Sequence, residues 1–275
     1  MNAPRQDRPL LSVCIPGRDE EESIGEVIAE TAEELKRAGI PHEFVVANDN
    51  STDGTEAAVR AMMDAGHPIR LINRKPPGGF GRAVRSCLDH FRGEMVAIVM
   101  ADLSDDPKDV VAYYEKLEEG YDAVFGTRFT KGATAAGYPR DKLVVNRIGN
   151  KLIQLLFRTH HNDLTNAFKA YRRQAIQSLM PLYSAHFNIT IEMSLGLLIR
   201  DYRIASIPVN WYTRTKGLAK FRIRELARRY VATLLKIYAE RVFILDDVIA
   251  EHGRRVDSLS AEPHGREEVV TNIDD

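Results

Sequence analysis

Two short acidic segments each follow an apolar run, and they carry the residue types best suited to chemistry. The first, DNSTDGT at 49–55, follows the apolar residues 44–47. The second, MADLSDDP at 100–107, follows the apolar residues 95–99. Carboxylates placed after buried strands lie where open α/β sheets bind ligands, in the crevice beyond the carboxyl ends of the strands. There they can hold a base, a ribose or a divalent cation on a phosphate-rich donor.

The elements that position these segments follow from an alternation of apolar runs and amphipathic stretches. Strands are predicted at 10–15, 44–47, 69–72, 96–99 and 123–126, with helices between them, the third entered through the glycine-rich loop 76–81. This alternation predicts an α/β fold with a mainly parallel sheet and helices on both faces. After residue 132 we predict helices at 143–157 and 189–199, strands at 168–171 and 204–208, and a closing helix from about 223 to 249.

The bulk composition limits the possible partners. The chain has 275 residues, 44% hydrophobic and 28% charged, which is enough for one large domain with additions. A net charge of -1 gives no reason to expect nucleic acid as a partner. Two cysteines exclude a disulfide framework and favour a reducing cytoplasm. No stretch reaches the roughly 20 apolar residues of a membrane span, so membrane contact is expected to be peripheral, on the inner face.

Four regions are expected along the chain. Residues 1–9 and the acidic residues 254–275 are too polar to pack and are predicted to be disordered. Residues 10–221 form the predicted catalytic domain, and residues 222–253 form an amphipathic C-terminal helix.

Six short segments, in this order, resemble family 2 glycosyltransferases with the GT-A fold, above all the dolichyl- or polyprenyl-phosphate mannose and glucose synthases. The segments are Ile15-Pro16 with Glu20, then 49–55, 101–103, 126–129, 163–168 and 214–220. The resemblance implies transfer of a hexose, with inversion, from a UDP- or GDP-linked sugar. It also implies a polyprenyl or dolichyl phosphate as the acceptor.

By the same resemblance, several residues would contact the donor. They are Pro16, Arg18, Glu20, Ala47, Asp49, Arg74, Lys75 and Ala101. The carboxylate of Asp49 would accept a ring N–H, a geometry that favours uracil or guanine. Alternatively, Asp49 is a turn cap at a strand end, and Arg74 and Lys75 are solvated charges beside a Pro-Gly turn.

Asp102 matches the last acid of the family's Asp-x-Asp motif, which binds Mg²⁺ or Mn²⁺ on the diphosphate. The first acid of that motif is replaced by Met100, whose thioether is a poor ligand for a hard cation. Asp105 or Asp106 supplies the missing charge, or the metal is held loosely, or it is dispensable. The predicted metal ligands are Asp102 and Asp105. Asp105 and Asp106 also suit the role of caps for the helix starting at Pro107.

The resemblance names Asp102, Arg128 and Glu192 as the catalytic set. Arg128 matches a phosphate-contacting position, and a guanidinium can bind two oxygens at once. The alternatives are a surface ion pair for Arg128 and a buried ion pair for Glu192. Three further cations belong to a loop of the type that closes over a pyrophosphate: Arg214, Lys216 and Lys220.

The acceptor decides whether a base is required. A lipid phosphate is already anionic, whereas a hydroxyl acceptor needs a carboxylate such as Glu192, Asp106 or Asp163 to take its proton. A cluster of basic residues favours a phosphate-bearing acceptor: Arg128, Arg140, Lys142 and Arg147. The closing helix either lies on a membrane surface or forms a packing or dimer face.

Two other classes of protein are alternatives to an active transferase. A non-catalytic nucleotide-sugar binder is favoured by Met100 and Ser104, which stand where the family has a metal ligand and a glutamine. A dinucleotide-dependent oxidoreductase is favoured only by the α/β alternation. The glycines of 78–81 lack the G-x-G-x-x-G spacing and do not follow the first strand, which counts against it.

Overall fold

Nine strands and eight helices occur in the parts of the chain that the computed structural model describes, residues 10–138, 140–213 and 223–243. The strands are β1 (Leu11–Gly17), β2 (His42–Asp49), β3 (Ile69–Arg74), β4 (Met95–Ile98), β5 (Ala123–Thr127), β6 (Thr134–Ala136), β7 (Lys169–Arg172), β8 (Ile204–Pro208) and β9 (Asn210–Tyr212). The helices are α1 (Ile24–Arg37), α2 (Thr55–Asp64), α3 (Phe80–His90), α4 (Pro107–Glu118), α5 (Arg140–Phe157), α6 (Arg173–Gln177), α7 (Ile189–Ile199) and α8 (Ile223–Phe243).

The central sheet has seven strands in the order β3-β2-β1-β4-β7-β5-β8. All neighbouring pairs are parallel except those of β7, which runs antiparallel to both β4 and β5. A second sheet pairs β6 with β9. The predicted α/β fold with a mainly parallel sheet is therefore confirmed.

Helices cover both faces of the sheet and create two cores. β1 is buried along its whole length, as expected for a strand with helices on both sides. One core joins this sheet to α3, α5, α7 and α8, and the other joins it to α1, α2 and α4. Because alternate side chains of a strand point to opposite faces, Cys14 belongs to the first core and Val13 to the second.

Three short elements are not among those predicted from the sequence. They are β6, β9 and α6, whose three to five residues are too few to display a period. The closing helix is present as α8, and the part predicted beyond residue 243 lies outside the described residues. The regions 1–9 and 254–275 also lie outside them, and the domain boundaries remain predictions. In the described parts of the chain, no helix combines the length and the low charge needed to cross a bilayer.

Candidate functional site

The strand register brings the predicted donor residues to one edge of the sheet. In β2 and β3, Asp49 lies opposite Arg74, and in β1 and β2, Gly17 lies opposite Asn48. β4 pairs with β1 in the same direction. The loops after these four strands therefore share the carboxyl edge, which is the ligand-binding edge of an open parallel sheet.

Asp49 is held by donors from its own loop and from two other segments. It is 4% exposed, and its Oδ1 accepts hydrogen bonds from Arg74 Nη1 and from Asn50 Nδ2, the latter at 3.0 Å. Its Oδ2 accepts one from the backbone N–H of Gly79 at 2.6 Å, just before α3. Arg74 is thus the ion-pair partner of Asp49 and not a solvated charge. A nucleobase N–H that bonds this carboxylate must share it with these donors or replace one of them.

The glycine-rich loop packs closely against this carboxylate and against the segment before α7. A Cβ on Gly78 would lie 3.2 Å from both Arg18 Nη1 and Asp49 Oδ2. Gly79 has a φ of 152°, and a Cβ there would collide with the carbonyl oxygen of Ala185. Glycine is therefore required where the loop passes between Asp49 and the segment before α7. Arg18 itself is half-exposed at the end of β1.

The other predicted donor residues differ in the groups that they present. Pro16 and Ala47 lie opposite each other and are buried in the sheet, and Ala101 is 2% exposed. These three present no exposed side chain, so a contact with substrate would have to involve their backbone groups. Glu20 is half-buried, and Lys75 is exposed after β3.

The second acidic segment lies on the other side of the end of β1. A Cβ on Gly17 would lie 3.5 Å from the Cβ of Ala101, and Ser23 Oγ donates to the carbonyl oxygen of Ala101 at 2.8 Å. Asp102 is 8% exposed, and its Oδ1 accepts hydrogen bonds from the backbone N–H of Ser104 at 3.2 Å and from its hydroxyl at 2.6 Å. Ser104, which replaces the family glutamine, thus orients the predicted metal ligand.

The backbone of this segment is strained beside Asp102. Leu103 has a φ of 60°, a region that a residue with a Cβ rarely adopts. Such strain persists only when surrounding contacts impose it, and it concentrates at functional sites. Here the contacts are the two hydrogen bonds between Ser104 and Asp102.

Asp105 and Asp106 have different roles. Asp105 Oδ2 accepts the Met100 N–H at 2.9 Å. Burial of this carboxyl raises its pKa to about 8, an effect that the Asp102 charge strengthens and that Met100 and Arg128 oppose. Asp106 is the cap of α4, accepting the Lys108 N–H at 3.0 Å. The cap role left open for both residues is therefore observed at Asp106 and not at Asp105.

The second acidic segment offers only a small number of carboxylates to a divalent cation. Within the described residues, no three His, Cys, Asp or Glu side chains come together as a metal-binding group. Mg²⁺ typically uses one or two carboxylates and completes its coordination with waters and substrate phosphates. Asp102, with Asp105 nearby in the loop, fits that smaller requirement. The residues therefore fit a cation held jointly by the protein and a diphosphate.

Arg128 is held in a buried ion pair with Asp163. Its Nε and Nη2 donate to the two carboxylate oxygens at 2.8 Å each, and its backbone N–H donates to Oδ2 at 3.1 Å. The two side chains are 9% and 1% exposed, so the surface ion pair considered from the sequence is wrong. Burial lowers the pKa of Arg128, but the charge and hydrogen bonds of Asp163 outweigh burial and hold the pKa above its ordinary value. Asp163, fully engaged, is no longer a candidate base.

Aromatic rings surround the same guanidinium. Its Cζ lies 5.3 Å from the ring centroid of Phe129 and 5.4 Å from that of Tyr138. Arg147 of α5 also lies over the Phe129 ring, with its Cζ 4.8 Å from the centroid. Two arginines thus share one aromatic platform, a suitable setting for an anionic ligand.

Glu192 connects α7 to the segment before it and to α8. Its carboxylate accepts the backbone N–H groups of Tyr183 and Ser184, the latter at 2.7 Å, and Lys236 Nζ of α8 at 2.9 Å. Burial raises the pKa of Glu192, but hydrogen bonds from Ser184 and Lys236 outweigh it and hold the pKa below its ordinary value. A carboxylate with a lowered pKa is a weak base. The geometry supports the buried ion-pair alternative, so the catalytic assignment of Glu192 is not retained.

The strand β9, just before the predicted pyrophosphate loop, is joined to the rest of the site. Arg214, Lys216 and Lys220 lie outside the described residues, as do the side chains of Arg140 and Lys142. β9, which leads into that loop, is fastened to the second acidic segment and to α4. The N–H of Tyr212 donates to the Ser104 carbonyl at 2.9 Å, and the N–H of Asn210 donates to Asp109 Oδ2 at 2.8 Å.

One buried cation is not among the residues predicted from the sequence. Lys169 in β7 is 0% exposed, and its Nζ donates to the Leu164 carbonyl and to Ser194 Oγ, both at 2.6 Å. Burial lowers the pKa of Lys169 to about 7. Because Leu164 follows Asp163 directly, Lys169 fixes the backbone beside the Arg128 partner. The sequence feature that could have indicated this buried role is a lysine inside the apolar run of a predicted strand.

Comparisons with known proteins agree with this architecture. The sequence profile of glycosyl transferase family 2 matches residues 12–180. Glycosyltransferase AglJ of Haloferax volcanii is 30% identical over 213 residues, 75% of this chain and 65% of that protein. Undecaprenyl-phosphate 4-deoxy-4-formamido-L-arabinose transferase of Shewanella sediminis is 27% identical over 78% of this chain and 63% of its own length. Polyprenol monophosphomannose synthase of Mycolicibacterium smegmatis is 24% identical over 76% and 79%.

The chain therefore spans a little under two thirds of the first two of these relatives. Among solved structures, a mycobacterial protein has a TM-score of 0.67 at 22% identity, covering 84% of this chain and 75% of that one. Glucosyl-3-phosphoglycerate synthase of Mycobacterium tuberculosis, solved with Mn²⁺, UDP and phosphoglyceric acid, has a TM-score of 0.65 at 20% identity, with coverage of 84% and 78%. These likenesses establish the GT-A fold. Since the family profile matches well over half of the sequence, the chain belongs to glycosyl transferase family 2.

Proposed function

We propose that this protein is an inverting glycosyltransferase that moves a hexose from a nucleotide-diphosphate sugar to a polyprenyl or dolichyl phosphate. The observation that carries the proposal is the position of the two acidic segments on either side of the end of β1, with Asp49 and Asp102 on the same sheet edge. A nucleoside at Asp49 and a diphosphate at Asp102 would span such a cleft.

The donor half of the site has a clear division of tasks. Asp49 receives a ring N–H of the base, and Arg18, at the mouth of the same pocket, reaches the ribose or phosphates. The structures of glucosyl-3-phosphoglycerate synthase solved with UDP support a uridine donor. Asp102, oriented by Ser104, and Asp105 would hold Mg²⁺ or Mn²⁺, and structures of that same synthase contain each of these cations. When bound, the cation neutralises the departing diphosphate.

The acceptor half is built around Arg128 and Arg147. An acceptor phosphate oxygen attacks the anomeric carbon, and the bond to the nucleotide diphosphate breaks with inversion. Since that oxygen is already anionic, no base is required, in keeping with the engagement of Asp163 and Glu192 elsewhere. The chain's contribution is to position the reactants and to supply fixed positive charge.

A second candidate acceptor is a small soluble phosphate. It is favoured by the structural relatives solved with phosphoglyceric acid. The same arginines would serve either acceptor, because both present a phosphate group. The names of two sequence relatives, which refer to polyprenol and undecaprenyl phosphate, favour the lipid.

Transfer from a panel of radiolabelled UDP- and GDP-sugars with Mn²⁺ tests this function, with a short-chain polyprenyl phosphate or phosphoglycerate as acceptor. We expect transfer to the prenyl phosphate, and D102N should lower it by at least about 10²-fold, as the loss of one electrostatic stabiliser does. D64N, which removes an exposed carboxylate at the end of α2, is the matched control. Tight donor binding without turnover under any metal would identify a non-catalytic binder. Near-normal turnover of D102N would remove the metal-site assignment.

A further inference from the structure

Two helices leave an extensive apolar surface in solvent. Of the fifteen large hydrophobic side chains that are exposed in the described parts of the chain, eleven lie on α5 and α8. On α5 they are Val144, Val145, Ile148, Leu152, Leu155 and Leu156. On α8 they are Val231, Leu235, Tyr238, Val242 and Phe243. Exposed apolar clusters of this kind mark interaction sites, whereas single exposed hydrophobics do not.

These exposed residues do not lie on the core-facing sides of their helices. α5 buries Ile153 and Phe157, and α8 buries Thr233 and Ile237. Each helix therefore has one side packed on the protein and a second apolar side that faces outward. The packing of the domain core does not explain why this second side is apolar, because the solvent-facing side of a surface helix usually carries polar residues.

The two helices meet at the end of α5. The ring of Phe157, at the end of α5, meets the ring of Tyr238 of α8 with a centroid distance of 6.2 Å. Arg241 Nη1 also donates to the Phe157 carbonyl at 3.1 Å. Tyr238 is 40% exposed, and Leu155 and Leu156, which directly precede Phe157, are 77% and 37% exposed, so exposed apolar side chains of both helices lie close to this contact. We call these eleven side chains the α5–α8 face.

The charge around this face is strongly one-sided. Among the described side chains of the two helices, six are basic and one is acidic, in a chain whose net charge is -1. The basic residues are Arg147, Lys151, Arg228, Arg229, Lys236 and Arg241. The single acid among them, Glu240, is paired with Arg200, and one of the cations, Lys236, is paired with Glu192. The two helices still carry an excess of positive charge, which is complementary to a surface that offers both hydrocarbon and negative charge.

We propose that the α5–α8 face docks on an anionic lipid bilayer. The helices lie in the interface, with the apolar side chains entering the acyl boundary and exposed cations such as Lys151 and Arg228 contacting the headgroups. A second copy of this chain is a poorer occupant, because a twofold contact would set the same cations against each other. The face also places the aromatic and arginine platform of Arg128 and Arg147 next to the membrane, since Arg147 belongs to α5. Membrane docking of the α5–α8 face extends the proposed function, and it rests on that function only for the identity of the acceptor.

Vesicle sedimentation of the full chain tests the surface without donor or acceptor. We expect binding to vesicles containing phosphatidylglycerol, weakened by salt and weak on phosphatidylcholine alone. The double variant L155Q/L235Q replaces two side chains that are 77% and 64% exposed, and it should weaken binding about tenfold or more. M63Q removes an exposed hydrophobic side chain of α2 and should bind like the unaltered protein.

Three results would overturn the proposal: no binding to the anionic vesicles, equal binding to both lipids, or unchanged binding of the double variant. A dimer detected by light scattering, if the double variant dissociates it, would instead assign the face to self-association.

Transfer assays test this surface separately from the proposed function. The double variant should retain transfer to a short-chain acceptor in solution and lose it on a long-chain acceptor in vesicles. If the unaltered protein transfers no sugar at all, the proposed function fails while the sedimentation result still decides the surface.

Discussion

At the scale of single residues, the site is built from carboxylates whose orientation other protein groups fix. Asp49 is held by Arg74 and Gly79, and Asp102 is held by Ser104. Rigidly held groups lose little freedom when a ligand arrives, so they act as preorganised electrostatic contacts. The consequence is that small changes at these positions should alter binding without dismantling the fold.

Asp49 provides the first such case. In D49N the carboxylate that would accept the base N–H becomes a neutral amide, and the pairing with Arg74 is lost. A hydrogen bond to a charged group contributes about 1.5–3 kcal/mol, so the Kd for UDP should rise by about 10-fold or more. Isothermal titration calorimetry measures this change. D64N, with the same charge change on the exposed end of α2, should leave the affinity unaltered. An unchanged Kd in D49N would show that the base is bound elsewhere.

At the scale of elements, the chain secures loops and helices to each other through side chains. The ring of Phe80, which begins α3, stacks on Phe187 at 4.1 Å, and Arg82 N–H donates to the Ala185 carbonyl. The glycine-rich loop that reaches Asp49 is thereby fixed to the segment before α7. Glu192 extends the connection to α8 through Lys236. The donor pocket and the closing helix thus belong to one continuous set of contacts.

Glu192 tests whether this connection is structural or catalytic. In E192Q the ion pair with Lys236 is lost. Since Lys236 is 44% exposed, solvent screens that pair, and we expect the free energy of unfolding to fall by only about 1–3 kcal/mol. The kcat for an anionic acceptor should change little, because no base is needed. Urea unfolding and initial rates measure the two effects, with E115Q at an exposed position of α4 as control.

The pH dependence of this effect has a defined sign. The pKa of Glu192 is lowered from 4.5, so its contribution to stability is present above pH 4.5 and is lost as pH falls through the folded-state pKa. The stability difference between E192Q and the unaltered protein should therefore shrink on the acid side of pH 4.5. A large loss of kcat at unchanged unfolding free energy would restore a base role for Glu192.

At the scale of the whole molecule, ligand binding to the cleft should stabilise the fold. Ligand that binds only the folded state at 100 times its Kd adds about 2.7 kcal/mol of stability. For a chain of this size that corresponds to a rise in Tm of roughly 5 °C or more. We expect this rise with UDP and Mn²⁺, and a smaller one with UDP and a chelator. Differential scanning fluorimetry measures it, and an equal response to ADP would contradict a uridine-specific Asp49 pocket.

Local patterns in the sequence were sufficient to predict a mainly parallel sheet and the sheet edge at which the ligand residues lie. Apolar runs at 44–47 and 95–99 have a strand's length, and the loop after a parallel strand must lie at its carboxyl end. The positions of Asp49 and Asp102 were therefore predictable, because they depend on the period and direction of the strand just before them. The short elements β6, β9 and α6 were not, because they are held by tertiary contacts and show no period of their own.

Only the tertiary structure decided which charges meet. Arg128 and Asp163 are 35 residues apart, and Glu192 and Lys236 are 44 apart. No local spacing encodes such pairs, because they depend on how distant elements pack. For this reason the protein partners of Arg128 and Glu192 could not be identified from the sequence. A charge beside a strand or on a helix is visible in the sequence, but whether it pairs with a ligand or with the protein depends on which groups the fold brings to within hydrogen-bonding distance.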